Sequence, residues 1–217
     1  MTPKKTHYYF SLIHFNIDDF KISLAMPQAW QAVDLYHAIA DDRASIGKWL
    51  PWAYQMKSPL DEAAFIKKIQ EDMINQRMIV LTILVNGQPA GMIDLHNLVK
   101  NKKGEIGYWL SSKFQGNGIV TRSVTELCQY AFHELNLQYV DLIAAVQNGS
   151  SSRVAEHADF KLMGVRPKLI HGSDDGQIFF FRPLANWLYV RPSSRTAALI
   201  RAIHSWRNTR FLVRRSR

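Results

Sequence analysis

The hydrophobic pattern changes period along the chain, which predicts strands mixed with helices. Residues 78–85 and 90–95 are apolar, β-favouring runs on either side of Asn86-Gly87, the dipeptide preferred in a two-residue hairpin turn. A second polar turn then precedes a third run of this kind at residues 105–110. The middle of the chain is therefore predicted to form three consecutive antiparallel strands.

Helical spacing of apolar residues predicts helices on both sides of these strands. The clearest pattern follows the third strand, with one apolar face made of Val120, Val124, Leu127, Ala131 and Leu135. Two earlier helices are expected to begin near Pro27 and at Ser58-Pro59. Their expected core-facing residues are, respectively, Val33, Leu35, Tyr36, Ile39 and Ala40, and Phe65, Ile66, Ile69 and Met73. A short helix is also expected at residues 148–158, and further strands at residues 21–24, 140–146, 160–165 and 177–182.

The order of these elements is β, helices, βββ, α, β, α, ββ, which predicts an α/β fold. We expect a mixed, mostly antiparallel central sheet of about seven strands with helices packed against it. This domain is predicted to cover residues 1–187. Residues 188–217 are predicted to form a basic C-terminal extension that is helical or partly disordered.

The charge of the chain is concentrated in this extension. Residues 191–217 contain eight arginines and no acidic residue, so residues 1–190 hold 19 basic and 18 acidic side chains. The extension could bind RNA, an anionic membrane or an acidic partner. The simpler alternative is a solvated extension or a helix packed on the domain.

Composition narrows the class of protein further. The hydrophobic fraction of 47% is ordinary for a folded domain, and no apolar run approaches the roughly 20 residues that span a bilayer. The one cysteine, Cys128, excludes an internal disulfide and fits a reducing compartment, so we expect a cytoplasmic protein. Cys128 lies mid-helix, where a core thiol is commoner than a nucleophile. The eight histidines have no metal-ligand spacing, and no metal is expected.

The turn Gly116-Asn117-Gly118 joins the third strand of the hairpin region to the strongest helix. Glycines let a ligand approach the backbone closely, and the first N–H groups of a helix attract anions. The simpler alternative is a sharp strand-to-helix turn. A P-loop is disfavoured because no Gly-Lys-Ser/Thr follows the glycines. A dinucleotide fingerprint is disfavoured because Thr121 replaces its last glycine and the preceding strands form hairpins rather than parallel βαβ units.

Several motifs in this order resemble those of the GNAT acyltransferases. Gln115-x-x-Gly118-x-Val120 is similar to the family signature Q/R-x-x-G-x-G/A, although Val120 is bulkier than the usual last residue. Over roughly residues 10–185 the chain resembles the branch that acetylates the N-termini of ribosomal proteins. The segments that carry this resemblance are Asp42-Arg43, Trp49-Leu50-Pro51-Trp52, Glu105-Ile106-Gly107-Tyr108-Trp109-Leu110, Asn148-x-x-Ser151-x-Arg153-Val154 and Phe160-Lys161-Leu162-Met163-Gly164. Asp159 stands where the family usually has glycine, and Asp tolerates a left-handed backbone better than most residues do.

The resemblance implies a site for acetyl-CoA where the sheet splays between its fourth and fifth strands. The backbone of Trp109 and Leu110 would pair with the pantetheine amides, and Asn148 would hydrogen-bond the same arm. Ser151 would protonate the departing thiolate, although Asn and Ser at these positions also favour helix capping. The pyrophosphate would be held by the turn made of Gln115, Gly116, Asn117, Gly118, Ile119, Val120 and Thr121.

The resemblance also implies an acceptor side and an activity. Glu105 could take the proton of the amine, or it could be a solvated charge at a strand end. Trp49 and Trp52 could contact the acceptor or simply pack in the core. The implied activity is acetyl transfer from acetyl-CoA to a primary amine, most naturally a protein N-terminal α-amine, by direct attack in a ternary complex. Small-molecule acetylation, or a non-catalytic acyl-CoA-binding module with a partner-binding extension, remain alternatives, and homodimer formation is left open.

Overall fold

One eight-stranded sheet organises the residues that this computed structural model describes, 9–167 and 176–183. The strand order is β1-β2-β3-β4-β5-β6-β8-β7. The strands are β1 (Ser11–Ile17), β2 (Phe20–Ala25), β3 (Ile79–Val85), β4 (Gln88–Val99), β5 (Lys103–Leu110), β6 (Tyr139–Ala145), β7 (Lys161–Pro167) and β8 (Gly176–Pro183). The helices are α1 (Ala32–Asp41), α2 (Arg43–Gly47), α3 (Pro59–Ile74), α4 (Ile119–His133) and α5 (Gly149–His157). The predicted extension at residues 188–217 lies outside the described residues.

The predicted α/β fold is confirmed, and the hairpin at its centre forms as expected. Asn86 and Gly87 both have positive φ values, 51° and 81°, as a type I′ turn requires. The strand count is eight rather than about seven, because β1 was not predicted. β1 is an edge strand that pairs only with β2, and most of its residues are half-buried, so it lacks the apolar run that marks the inner strands.

Two helices bury different residues from those predicted. In α1 the buried residues are Ala32, Leu35 and Ile39, whereas Val33 is 49% exposed. A 3₁₀ turn at Ala29–Gln31 precedes this helix, and the buried Gln31 side chain accepts hydrogen bonds from the Gln28 N–H and from Thr82 Oγ1. That contact with β3 sets which face of α1 points inward.

In α3 the prediction that Phe65 lies on the core side was wrong. Phe65 is 39% exposed, and Glu62 is buried instead, together with Ile66 and Ile69. Successive helical residues are about 100° apart, so a face centred on Ile66 leaves Phe65 at its margin. The next turn back, four residues before Ile66, brings Glu62 into the core.

The sheet splays between β5 and β6, as the family resemblance implied. These two strands are parallel and pair only from Lys103↔Tyr139 to Ile106↔Leu142. Beyond that pair β5 continues to Leu110 and β6 to Ala145 without pairing to each other. The following helices, α4 and α5, therefore begin at the same end of the gap. The fold brings two helix N-termini and two strand ends to one place.

Candidate functional site

The gap between β5 and β6 opens into a cleft of about 670 Å³. Its walls are the C-terminal halves of the two strands, the first turns of α4 and α5, and part of the segment from Ser45 to Leu50. These residues belong to three separate stretches of the sequence, 45–50, 106–121 and 143–157, which only the folded structure brings together.

The turn before α4 presents unbonded amides to this cleft. Gly116 and Gly118 have φ values of 81° and 72°, the left-handed region that glycine adopts most easily. The first hydrogen bond of the helix runs from the Arg122 N–H to the Gly118 carbonyl, at 3.0 Å. Within the described part of the chain, the N–H groups of residues 116–121 have no hydrogen-bond acceptor. Five of these six residues line the cleft, and a Cβ on either glycine would meet no atom within 4 Å. The turn therefore has the geometry of an anion site.

Side chains hold this turn in shape. Gln115 Nε2 donates to the Leu110 carbonyl at 2.8 Å, and Asn117 Nδ2 donates to the Phe114 and Gln115 carbonyls at 3.2 and 3.1 Å. The side chains of Gln115 and Asn117 thus stabilise the backbone of the turn, and the groups left to a ligand are amides. Pyrophosphate binding by residues 115–121 stays a prediction.

Asp42, between α1 and α2, links the helical layer to the segment that leads from β5 into this turn. Its carboxylate accepts hydrogen bonds from Ser111 Oγ at 2.9 Å, from the Ser112 N–H at 2.6 Å and from Ser112 Oγ. Burial opposes the charge of Asp42, but the bonds from Ser112 and Ser111 outweigh it and lower the pKa of this carboxyl. The resemblance had singled out Asp42 without a role, and its partners lie about 70 residues away, beyond the reach of any local pattern.

At the end of β5, some backbone groups face β4 and others face the gap between β5 and β6, which the sequence could not show. A Cβ on Gly91 would lie 2.3 Å from the Trp109 carbonyl oxygen, so that carbonyl faces β4. The Leu110 carbonyl already accepts from Gln115. Because successive strand residues direct their backbone groups to opposite sides, those of Tyr108 face the gap. Trp109 and Leu110 both line the cleft, but the Trp109 carbonyl is turned to β4 and is not available to pantetheine. Pairing of pantetheine with the Leu110 N–H, which by the same alternation faces the gap, stays a prediction.

Asn148 and Ser151 lie together at the start of α5, and both line the cleft. Asn148 Oδ1 accepts a hydrogen bond from the Ser151 N–H at 3.1 Å, so Asn148 does cap the helix. Its Nδ2 is the remaining polar group of the side chain. The two roles of Asn148 are therefore compatible, since capping uses the oxygen and a ligand could use the nitrogen.

Ser151 has a partner that the sequence did not reveal. Its Oγ lies 2.6 Å from the Tyr108 hydroxyl oxygen. Burial raises the pKa of Tyr108 to about 12, although the hydrogen bond to Ser151 acts in the opposite direction. Tyr108 belongs to the motif Glu105–Leu110 that carries the resemblance, but 43 residues separate it from Ser151.

Glu105 is not among the residues that line the cleft. Its carboxylate lies 3.5 Å from His96 Nε2 and accepts from Asn97 Nδ2 at 3.1 Å. Burial opposes the charge of Glu105, but the bonds from His96 and Asn97 outweigh it and lower the pKa of this carboxyl. For His96 burial again opposes the charge, while Asp94 and Glu105 raise the pKa to about 10. Glu105 is therefore an ionised carboxylate paired with an imidazolium, which makes it a weak base.

The two tryptophans predicted at the acceptor side have different surroundings. Trp49 lines the cleft, with Lys48 Nζ 4.5 Å from its ring centroid. Trp52 packs edge-on against Trp109 with centroids 6.3 Å apart and belongs to the margin of the core. Cys128 is fully buried in α4, which agrees with a core thiol.

The charge of the cleft walls is slightly positive. Among the described residues that line it, Arg153 is the one lysine or arginine, and no aspartate or glutamate is present. An anionic ligand fits such a surface better than a cationic one. Across residues 9–167 and 176–183 no group of three or more His, Cys, Asp and Glu side chains could hold a metal ion. In the same ranges no helix combines the length and the apolar surface needed to cross a bilayer.

Comparison with known proteins agrees with this geometry. The profile of the family described as an acetyltransferase (GNAT) domain matches residues 24–161. YdaF of Bacillus subtilis (strain 168), which is named as a candidate ribosomal N-acetyltransferase, is 35% identical over 144 residues, 64% of this chain and 77% of YdaF. The ribosomal-protein-serine acetyltransferase of Escherichia coli (strain K12) is 27% identical over 134 residues, 60% of this chain and 73% of that protein.

A solved structure shares both the fold and part of the sequence. The microcin C7 self-immunity acetyltransferase MccE, crystallised with acetyl-CoA and AMP, superposes with a TM-score of 0.71 at 26% identity. The match covers 75% of this chain and 92% of that chain. The family profile covers more than half of the chain, and the open amides before α4 fit a phosphate-bearing acetyl donor. The chain therefore belongs to the GNAT acetyltransferases and is an acyltransferase whose acetyl donor is acetyl-CoA.

Proposed function

We propose that the protein transfers the acetyl group to a protein N-terminal α-amine, by direct attack in a ternary complex. The observation that carries the proposal is that one cleft contains both a set of open amides and a serine hydroxyl. The open amides of residues 116–121 form one wall, and the Ser151 hydroxyl lies on another. A donor whose pyrophosphate rests on those amides could extend along the gap between β5 and β6 toward Ser151.

The binding part of the proposal uses the backbone more than charged side chains. The amides of residues 116–121 would donate to the pyrophosphate, and Asn148 Nδ2 would donate to the pantetheine arm. Each hydrogen bond to a charged oxygen contributes about 1.5–3 kcal/mol, so several together make a substantial site. Arg153 adds one positive charge to the same surface.

In the proposed reaction, the departing sulfur gains one proton and the acceptor nitrogen loses one. Acetyl-CoA supplies an activated acetyl thioester. The nitrogen lone pair of the acceptor forms the new C–N bond, the C–S bond breaks, and its electron pair goes to sulfur. Ser151 would give its hydroxyl proton to that sulfur and regain one through water, and the acceptor nitrogen releases a proton in turn.

Glu105 is a weak base, so the acceptor is more readily an α-amine, which loses its proton easily, than a lysine side chain. At pH 7, deprotonating an α-amine with a pKa near 7.7–8 costs about 1 kcal/mol, whereas a lysine near 10.4 costs roughly 4.6 kcal/mol. An α-amine therefore needs little help, and water leading toward the Asp94–His96–Glu105 network is sufficient. Asp94 lies next to the cleft, since a Cβ on the lining residue Gly107 would be 2.9 Å from its Oδ2. The similarity to the ribosomal-protein-serine acetyltransferase of Escherichia coli points to the same class of acceptor.

A thiol-release assay tests this function. We expect CoA release with peptides that have a free N-terminus, in particular N-terminal serine or alanine, and little with the same peptides when the N-terminus is blocked and an internal lysine is present. Ser151→Ala should lower kcat and leave the calorimetric affinity for acetyl-CoA nearly unchanged. Equal rates with free and blocked peptides would contradict the α-amine acceptor. Binding of acetyl-CoA without release for any amine would favour the non-catalytic module instead.

Small-molecule acetylation is the second candidate, and the similarity to MccE supports it. MccE was crystallised with AMP as well as acetyl-CoA. If this chain acts on a nucleotide-linked amine, AMP should compete with the acceptor in the thiol-release assay. A polyamine acceptor is less compatible with the site, since the described residues that line the cleft include no carboxylate.

A further inference from the structure

Tyr108 and Ser151 form a pair of hydroxyl groups at the point where β5 and β6 have parted. Both residues line the cleft, and their oxygens are 2.6 Å apart, at the short end of the range for O–H···O hydrogen bonds. Tyr108 lies two residues beyond Ile106, the last residue of β5 that pairs with β6. Ser151 lies in the first turn of α5, where Asn148 already holds its N–H. The position of the pair is therefore fixed from both sides.

The hydrogen bond between the two hydroxyl groups uses only one of their two hydrogens. Each hydroxyl carries one hydrogen, so one of the pair donates to the other, and the accepting group keeps its own hydrogen free. A phenol is a more acidic donor than an aliphatic alcohol, which favours donation from Tyr108 to Ser151. The hydrogen of Ser151 is then free to point into the cleft.

We propose that Tyr108 is a positioning residue for acetyl transfer, donating a hydrogen bond to Ser151 Oγ so that the Ser151 proton faces the departing sulfur. This inference rests on the proposed role of Ser151. The same bond stabilises negative charge that develops on Oγ while its proton moves to sulfur. Oγ then takes a proton from water, and the proton lost by the acceptor nitrogen restores the balance. Because the pKa of Tyr108 is raised to about 12, the phenol keeps its proton throughout the neutral and mildly alkaline range.

Tyr108→Phe removes the phenol oxygen and keeps the ring, so it tests the bond alone. We expect kcat to fall roughly tenfold to hundredfold, as for loss of a hydrogen bond to a group that gains charge. The calorimetric Kd for acetyl-CoA and the KM for the peptide should stay within about twofold of wild type, since the pair is not part of the phosphate site. Tyr130→Phe is the matched control, because Tyr130 is a buried tyrosine of α4 that is not among the residues lining the cleft. It should leave kcat unchanged.

A double-mutant cycle distinguishes positioning from general stabilisation of the fold. In the Ser151→Ala background Tyr108→Phe should have no further effect on kcat, because the group on which it acts is gone. Multiplicative losses in the double variant, or a Tyr108→Phe variant with wild-type kcat, would overturn the positioning role. Ser151→Ala with wild-type kcat would overturn it as well. Absence of CoA release by the wild-type protein with every acceptor would instead refute the proposed function itself.

Discussion

Replacing Asp42 by asparagine should loosen the turn before α4, although Asp42 does not belong to that turn. Asp42 is not on the cleft, yet its carboxylate accepts three hydrogen bonds from Ser111 and Ser112, at the start of the short segment that leads into the turn. Asparagine has nearly the same shape but carries no charge, and one of its two terminal groups is a donor. The asparagine oxygen can keep the two bonds now made to Oδ2, and the third bond survives only if the Ser112 hydroxyl accepts from Nδ2 instead of donating. All three bonds then join neutral groups, so each is weaker than the bond it replaces.

The size of the effect follows from these contacts. A hydrogen bond to a charged acceptor contributes about 1.5–3 kcal/mol and a neutral one about 0.5–1.5 kcal/mol. The Ser112 bonds are solvent-exposed and count for less, whereas Ser111 is buried. We therefore expect Asp42→Asn to lower the free energy of unfolding by roughly 2 kcal/mol, and acetyl-CoA binding to weaken because the turn is less ordered.

Asp41→Asn is the matched control on the neighbouring residue. The Asp41 side chain is 58% exposed, and its ion pair with Lys113 is 3.4 Å long and also exposed, so it contributes little. Urea denaturation of the cofactor-free protein gives the unfolding free energies, and calorimetry gives the affinities for acetyl-CoA. The pKa of Asp42 is lowered in the folded state, so its contribution is present above its unfolded pKa near 3.8 and disappears as the pH falls through the folded pKa. Equal stability and equal affinity in the two variants would refute the reasoning.

Two further substitutions test particular features. Gly118→Ala and Gly87→Ala should each destabilise the protein by roughly 1–2 kcal/mol, since both glycines have positive φ values and a Cβ on either meets no atom within 4 Å. Only Gly118→Ala should also weaken binding of acetyl-CoA. An equal loss of affinity in Gly87→Ala would count against a specific role of the turn at Gly118 in binding acetyl-CoA. Glu62 is 1% exposed, neither carboxylate oxygen has a hydrogen-bond partner within the described residues, and burial raises its pKa from 4.5 to about 7. The folded state therefore binds this proton more tightly than the unfolded state, and stability falls as the pH rises from about 4.5 to about 7. Glu62→Gln should then raise the unfolding free energy by about 3 kcal/mol at pH 8 and by clearly less at pH 5.5. The exposed Glu71→Gln on the same helix should show no such difference, and an effect of Glu62→Gln that does not vary with pH would contradict the assignment.

Local sequence signals were sufficient to predict the strands and the turn that form the cleft. Asn86-Gly87 predicts the hairpin because its dihedral angles are a local property, and the glycines at 116 and 118 predict the turn for the same reason. β1 was missed because an edge strand needs no apolar run, and its pairing with β2 is visible only in three dimensions. The faces of α1 and α3 were misjudged at their margins, since Gln31 and Glu62 are polar residues that the packing nevertheless buries.

The site itself could be predicted only in part. Spacing and resemblance predicted two short segments, residues 116–121 and Asn148 with Ser151, and all of these residues except Asn117 line the cleft; their roles stay predictions. Contacts across the fold were not found, because Tyr108 meets Ser151 and Asp42 meets Ser111 only after the sheet has formed. Nothing in the sequence near Glu105 indicates its contacts with His96 and Asn97. These contacts lower the pKa of the Glu105 carboxyl and so make it a weaker base.

The most direct test of the account is a comparison of CoA with pantetheine by amide NMR on uniformly ¹⁵N-labelled protein. If the turn before α4 holds the pyrophosphate, CoA should shift the amide resonances of residues 116–121 strongly. Pantetheine, which has no phosphate, should instead shift resonances along β5 and β6 and leave those of the turn nearly unchanged. Saturating CoA that leaves the six amides unmoved, or pantetheine that moves them equally, would contradict the claim that these N–H groups bind phosphate.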